Sequence, residues 1–493
     1  MIVNRSRRVH RRTTLTLACA TAALTASLAA PVAASTAATS PAGACTPRLT
    51  STSAAVATRS DLLVLTGSCF GGPTGRASVT VNGIAAPVAR WTDTEIAAYV
   101  PESAPLGAAT VQIDSAGGTQ QAAVSVVDRA AKGRLQWRFR AAGMYMLSHP
   151  VIAPDGTVYV NDVDSHLYAL TRDGALKWLL NGAGDEGVAL GPDGTVYVGS
   201  TGFITAVNPD GTIKWRYTQS PQALTLLGPS VGPDGNIYAV ASNGLGVFSL
   251  TPAGSLRWSV HEAYDRLIVE NQDLVFGPAP GGGQQLYFHA NKHFEAVRLD
   301  DGDVTFSIYG DGHAGCGAGD QPVVGPNGRA YTTNWTIGEG EKLGSYKPNG
   351  SLDWTFVYQP NNCSSAPAIG PDGKIYIVWN ISRLFAVTPS GSATELAVDT
   401  DDVLQHPSVS PQGNQVVVPG SGIEDHRGVV NSWSTRDGSL LWSVDLPDVK
   451  GATQVPMSAF GVPFAPDGKT AYVTTIVSGV YDRSFLYAVD TRR

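Results

Sequence analysis

Charge is scarce in this 493-residue chain: only 15% of its residues are Asp, Glu, Lys or Arg, and it holds five cysteines and four methionines. Beyond the first 35 residues no uncharged apolar run reaches the roughly 18–20 residues that a membrane span needs, which excludes a helical membrane protein. No two cysteines lie within the two-to-four-residue spacing favoured by zinc sites. There is no Gly-x-Ser-x-Gly elbow, no His-Glu-x-x-His and no phosphate-binding glycine loop, so the hydrolase, zinc-protease and P-loop classes lose their usual sequence support. What is plentiful is glycine and proline, 55 and 31 residues, without the triplet period of a collagen. Hydrophobic residues make up 43%, enough for substantial cores.

Residues 1–35 read as a signal peptide. Arg5, Arg7, Arg8, Arg11 and Arg12 precede an uncharged Ala/Leu/Thr run from Thr13 to Ala30, and small residues follow at Pro31–Ser35. Ser6-Arg7-Arg8 loosely matches a twin-arginine signal, although His10 stands where a large hydrophobe is wanted. Removing this leader leaves 29 Lys and Arg against 41 Asp and Glu, a net charge of −12, which disfavours nucleic acid and anionic membrane as partners. An exported chain with four remaining cysteines is expected to pair them, as Cys45–Cys69 and Cys316–Cys363, among three possible connectivities.

From Thr46 to about Asp128 short alternating runs such as Ala77–Val81 and Ala109–Ile113 are separated by Gly and Pro, the pattern of a β-sandwich. Thr66-Gly67-Ser68-Cys69-Phe70-Gly71, Val81-Asn82-Gly83, Trp91 to Ile96, Pro101, Gly107 and Val111 to Ile113 together resemble the IPT/TIG family of immunoglobulin-like domains. That resemblance covers residues 45–128 and implies a spacer or interaction module; Trp91 is expected in the sandwich core.

The rest of the chain, residues 129–493, is an internal repeat. Pro150 to Val160 gives an apolar run, a Pro154-Asp155-Gly156 turn and an alternating run through Tyr159. Leu167 to Leu170, an Asp173-Gly174 turn and a strand ending in Trp178 complete the unit. Further copies turn at Gly194, Gly235, Gly328, Gly373, Gly413 and Gly468, with an irregular one at Gly277 to Pro280. The closing-strand positions are Trp137, Trp178, Trp215, Trp258, Phe306, Trp354, Glu395 and Trp442. Their spacing is that of four-stranded propeller blades, and the predicted fold is an all-β chain with an eight-bladed propeller, or seven blades if the irregular copy is not one. A first closing strand precedes any opening strand while the last copy ends without one, so the N-terminal strand is expected to complete the last blade.

The phrases Leu-Tyr-Ala-Leu/Val and Asp-Gly-x-Leu-x-Trp are similar to the repeats of quinoprotein-like (PQQ-like) propellers. The resemblance implies that the tryptophans dock neighbouring blades. It also implies one of two functions: a dehydrogenase using pyrroloquinoline quinone with calcium, or a scaffold without catalysis. The adjacent Cys-Cys pair common in the dehydrogenases is absent and no calcium-binding Glu/Asn/Asp set stands out, so no cofactor is expected. The acidic runs Asp300–Asp303 and Asp399–Asp402 are read as solvated surface before calcium sites.

Both tight turns of each repeat fall at one end of the sheets, while the other end carries variable connections, and variable loops on a rigid scaffold are where binding resides. Aromatic and polar residues there are the candidate ligand contacts: Tyr145, His149, Asp162, His313, Asn334, Trp335, Trp379, Asn380, His406, Asp425 and His426. Such residues suit sugar rings or a protein hot spot. The expectation is a secreted or cell-surface monomer binding a glycan or protein partner, with the immunoglobulin-like domain as spacer. The alternatives are an enzyme with its site at the channel mouth, either a divergent quinone dehydrogenase or a polysaccharide lyase or hydrolase, and a purely structural spacer.

Overall fold

The computed structural model describes residues 45–73, 75, 77–143, 149–218, 228–241, 246–260, 274–290, 293–309, 321–336, 340–358, 364–425, 427–447, 453–456, 461–478 and 484–492. Their ordered elements are all β-strands.

Residues 48–127 form two sheets. One orders Arg48–Thr52, Leu62–Ser68, Glu95–Tyr99 and Val88–Trp91; the other orders Val56–Thr58, Gly118–Val127, Gly107–Ser115, Ser78–Val81 and Ile84–Ala85. Between them lies a core of Leu63, Leu65, Phe70, Val79, Ile96, Val111, Ile113 and Val126. Trp91 packs at the edge of that core and its indole N–H donates to the carbonyl of Gly71 at 3.1 Å. Cys45 and Cys69 form a disulfide that ties the start of the sandwich to the end of Leu62–Ser68. Cys316 and Cys363 lie outside the described residues.

Among the described residues, eight more sheets follow from Leu135 on. The first runs through Val151–Ile152, Val158–Asn161, His166–Leu170 and Leu176–Asn181 in simple antiparallel order, and the second to sixth repeat it. The seventh has two short strands, Asp402–Leu404 and Ser408–Val409, on the same neighbour Gln415–Gly422. In the eighth, Leu135–Arg140 from before the repeats is the outermost strand, antiparallel to Ser484–Asp490. Both ends of the repeat region thus close on one sheet and no long edge is left there.

Burial shows how the sheets stack. Strands such as His166–Leu170, Val196–Ser200 and Ile375–Trp379 are buried at every residue, so both faces are covered by neighbouring sheets. The fourth strands alternate and face solvent on one side, as in Ile213–Thr218. First strands of successive sheets touch one another, 151–152 against 188–190, 188–190 against 230–231, and 323–324 against 368–369. This is radial stacking, innermost strands first.

The repeated aromatics explain the stacking. In six sheets a buried Tyr of the second strand tilts against the aromatic residue of the fourth, for example Tyr197 on Trp215 at 5.7 Å and Tyr472 on Trp137 at 5.9 Å. The indole N–H then reaches a carbonyl in the next sheet's turn: Trp137 to Arg172 at 2.8 Å, Trp178 to Pro209 at 2.9 Å, Trp215 to Pro252 at 2.9 Å. The turn glycine is required because it lies flat on that ring. A Cβ on Gly211, whose φ is +90°, would sit 2.8 Å from Trp178. The sixth sheet has Glu395 on its fourth strand, as expected, and there departs from the aromatic pattern: its carboxylate takes the Arg383 guanidinium at 2.7 Å, while the backbone of Leu396 lies under Gly438. At the seventh-to-eighth junction a chain end replaces the turn, and the Arg134 guanidinium covers Trp442 at 5.2 Å.

Residues 45–493 form one compact unit. Leu62, Ala89, Ala97 and Tyr99 of the sandwich share a core with Trp137, Phe139, Tyr168, Leu170 and Leu486, and Tyr99 stacks on Phe139 at 5.3 Å. Around it, Arg129 forks onto Glu102 at 2.6 and 2.9 Å, Ser60 Oγ accepts the Leu176 N–H at 2.9 Å, and Asn181 Nδ2 donates to the Val88 carbonyl at 3.0 Å. The spacer expected from the sequence is therefore packed on the first and eighth sheets.

Candidate functional site at the loop end

At the turn end the hairpins repeat one geometry. Gly156 N–H donates to the Ala153 carbonyl at 2.8 Å and Gly194 N–H to Gly191 at 3.0 Å, with a carboxylate such as Asp155 or Asp193 accepting the N–H two residues on. These groups are used up locally. The opposite end is built differently, because there the second strands finish, the third begin, and the chain crosses to the next sheet.

The residue five before each Pro of the Pro-Asp-Gly turns enters the innermost strand. His149, Gly187, Gly228, Gln321, Ala366, His406 and Gly461 hold this position. Neighbours there meet directly: a Cβ on Gly187 would lie 3.0 Å from the Gly228 Cα, and the Ala366 N–H donates to His406 Nδ1 at 2.9 Å. His406 is buried, which pushes its imidazole down to about 4 and keeps it neutral, with Nδ1 as acceptor. His149 is half-buried before Val151–Ile152.

One residue upstream of Gly187 stands Glu186. Burial, and then the negative field of Asp185, raise its carboxyl to about 7. Its own carbonyl accepts from Asn161 Nδ2, which also reaches the Gly184 carbonyl at 3.2 Å, and Ser200 Oγ donates to Asp185 at 2.6 Å. Glu186 can therefore take up or release a proton near neutral pH. The composition did not reveal it; its place beside the position already marked by His149 and His406 was the signal.

The other predicted residues fall in different settings. Asp162 is buried, its oxygens taken by the His166 ring at 2.9 Å, the Tyr168 hydroxyl at 2.6 Å and the Gly143 N–H at 2.8 Å. Trp379 is wholly buried, edge-on to Phe356 at 5.7 Å, and its indole nitrogen has no partner among the described residues; it belongs to the core where the sequence pointed to a loop aromatic. Asn380 is exposed with φ +52°, and the exposed Ile381 beside it has φ +54°, a left-handed conformation that β-branched residues avoid. Asp425 is exposed and holds Arg427, whose guanidinium also meets Asp402 at 3.1 Å and Asp445 at 2.8 Å. Asn334 and Trp335 lie on Ala330–Thr336 with backbones opposite Lys342 and Glu341. Tyr145, His313 and His426 lie outside the described residues.

Further groups stand at this end, among them Asp402, which the sequence reading put in a solvated acidic run and which is buried. Glu341 is buried and accepts the Ser364 N–H. Asp402 is raised by burial despite hydrogen bonds from Asn431 at 2.9 Å and Arg427. Tyr309 is 60% exposed beside His293, its ring 5.2 Å away. A quinone with calcium asks for convergent oxygen ligands. Among the described residues no three or more His, Cys, Asp or Glu are placed together to hold a metal ion. No helix among them is long and apolar enough to cross a membrane.

Residues 120–342 match the family model described as outer membrane protein assembly factor BamB. No curated protein matches the chain. Among solved structures it is similar to BamB from Moraxella catarrhalis, at 11% identity and a TM-score of 0.49 over 71% of this chain and 98% of that one. A catalytically inactive virginiamycin B lyase from Staphylococcus aureus with quinupristin gives 14%, 0.42, 62% and 94% in the same terms. The dihydro-heme d1 dehydrogenase NirN gives 13%, 0.49, 69% and 71%. The stretch 120–342 carries PQQ-like repeats, and the repeat region is a β-propeller.

Proposed function

We propose that the chain is an exported, non-enzymatic binding scaffold, an eight-bladed propeller preceded by an immunoglobulin-like domain of the IPT/TIG kind, which holds an extracellular partner at its loop end. The observation that carries this reading is the inequality of the two ends. The turn end ties its backbone N–H groups into one repeated hairpin geometry, whereas the loop end carries Glu186, Glu341, Asp402 and His406 on separate sheets and exposes Tyr309 and Ile381; apolar side chains also stand exposed beside the turns, as at Ile213, Leu256, Leu352 and Leu440. Exposed apolar side chains rimmed by polar ones are what a partner surface offers. The match of residues 120–342 to a model described as an assembly factor supports a protein partner over a glycan. The leader read at residues 1–35 supports an extracellular site of action.

The test is a thermal-shift and calorimetric screen of the full chain against soluble oligosaccharides, cell-wall fragments and candidate surface proteins, repeated with Tyr309→Ala, Ile381→Asp and the turn-end control Asp210→Ala. Loss of binding confined to the first two supports the reading. Loss confined to the control, with both loop-end variants binding normally, overturns it.

One observation favours a second reading, an enzyme. A carboxyl near 7 beside a second acid is suited to general acid–base work. Turnover of any ligand from the screen, abolished by Glu186→Gln with binding retained, would establish it.

A further inference from the structure

We propose that His166 is a proton-dependent latch between the sandwich and the propeller, closed while the imidazole carries both ring protons and opened when one leaves. His166 Nδ1 lies 2.9 Å from both carboxylate oxygens of Asp162, and Nε2 lies 3.0 Å from the carbonyl oxygen of Ala89 in the sandwich. Both neighbours act only as acceptors. Asp162 Oδ1 also receives the N–H groups of Asp164 and His166 at 3.1 Å each, and Oδ2 receives the Gly143 N–H and the Tyr168 hydroxyl. Each of these contacts brings a proton to that carboxyl, so its oxygens act as acceptors. An imidazole between two acceptors must donate from both nitrogens, which makes it an imidazolium.

Loss of a proton leaves a nitrogen lone pair facing an oxygen lone pair. The remaining proton stays on Nδ1, where the bond to a carboxylate is the stronger of the two. The contact that breaks is therefore the one that crosses the domain boundary, Nε2 to Ala89.

The groups around the ring agree with this assignment. On its own sheet stand Asp162, Asp164 and Tyr168. From the sandwich come Tyr99 and Arg90, the latter paired with Glu95, and from the outer strand of the eighth sheet Arg140. Both tyrosines are pushed well above their ordinary range by burial and remain neutral. Burial acts to lower His166, but the hydrogen bond and charge of Asp162 outweigh it and hold the imidazole above its usual value.

The latch also reaches the segment 140–143. Tyr99 donates to the Arg140 carbonyl at 3.0 Å, Arg90 to the Ala142 carbonyl at 3.3 Å, the Tyr168 hydroxyl accepts the Ala142 N–H at 3.0 Å, and Asp162 accepts the Gly143 N–H. This segment leads into the connection that carries Tyr145. Opening the latch would slacken one support of the loop end; that last consequence alone rests on the proposed binding function.

The test uses the full chain without any ligand, so a failure of the binding reading does not touch it. His166 is titrated by the NMR shift of its Cε1 proton, and deuterium exchange of residues 86–99 and 135–143 is followed at pH 5.5 and 8.5 after correction for intrinsic rates. The expected midpoint lies above about 6.5, and exchange in both segments should rise about tenfold at the higher pH, the ratio that loss of one hydrogen bond worth about 1.4 kcal/mol gives. His166→Gln should exchange fast at both pH values with no step. A midpoint below the usual histidine value, or an unchanged step in His166→Gln, overturns the latch. If that variant does not fold, the wild-type titration decides alone.

Discussion

Replacing Glu186 by Gln removes a titration without removing much volume, and the structure fixes the sign of its effect on stability. An unfolded Glu ionises near 4.5, while burial and Asp185 raise the folded group to about 7. The folded state therefore binds the extra proton. Its stabilising share is fully present below about 4.5, shrinks as pH rises from there, and is gone once pH passes about 7. The displacement of roughly 2.5 units corresponds to about 3.4 kcal/mol at 1.36 kcal/mol per unit. Because the side chain is only half-buried and solvent screens the shift, about 1–2 kcal/mol is the working figure. Urea unfolding at pH 5 and pH 8.5 checks it: wild type should lose about 1–2 kcal/mol more than Glu186→Gln between the two. Taking the difference between the two proteins cancels the parallel loss expected from His166. Identical pH dependence in both would refute the assignment of a buried, proton-binding carboxyl at this entrance.

Gly211→Ala should cost about 2–4 kcal/mol, since the new methyl meets the Trp178 ring at 2.8 Å from a left-handed backbone; a variant within about 0.5 kcal/mol of wild type by urea unfolding would contradict the docking role of that pair. His406 behaves in the opposite sense to Glu186. Its folded value is depressed to about 4, so stability is lost as pH falls from about 6.5 to 4, and His406→Gln should flatten that acid limb of the melting profile. Ile381→Gly should raise stability by about 1 kcal/mol, by relieving a β-branched residue at φ +54°, and a drop in the urea midpoint would mean that contacts of the isoleucine outweigh the strain. Reducing Cys45–Cys69, or Cys69→Ser, should cost about 3 kcal/mol for a closed loop of 24 residues, read from the denaturation midpoint with and without reductant.

The propeller was legible because each of its needs is met by one residue type at one place. A left-handed turn calls for glycine, and the flat surface over it calls for an indole, so Gly174 with Trp137 and Gly254 with Trp215 recur in the sequence as they do in space. The loop end was not, because its groups meet across sheets. Ala366 reaches His406 forty positions away, and Ser364 reaches Glu341 from the sheet before. Trp379 shows the failure directly. At the end of a strand whose neighbours on both faces are sheets, an aromatic is core, and the sequence alone did not say that a second sheet would cover it.

The docking of the sandwich had a signal that went unread. Ile96-Ala97-Ala98-Tyr99 is four apolar residues in succession, where a half-exposed sandwich strand should alternate, and Leu62-Leu63-Val64-Leu65 repeats the anomaly on the neighbouring strand. Inward residues Leu63, Leu65, Ile96 and Ala98 fill the sandwich, and Leu62, Ala97 and Tyr99 go to the propeller. A surface that apolar would not be left in water, so the continuous run itself demands a second covering layer. Set against that shared core is the pair His166 with Asp162, and the imidazole reaches across to Ala89. Adhesion there rests on apolar burial and on hydrogen bonds such as Asn181 to Val88 and Leu176 to Ser60, which are indifferent to pH, and the contact that depends on the imidazole proton is a single hydrogen bond laid over them. Changing pH should therefore loosen the edge of the interface, at residues 86–99 and 135–143, without separating the sandwich from the propeller.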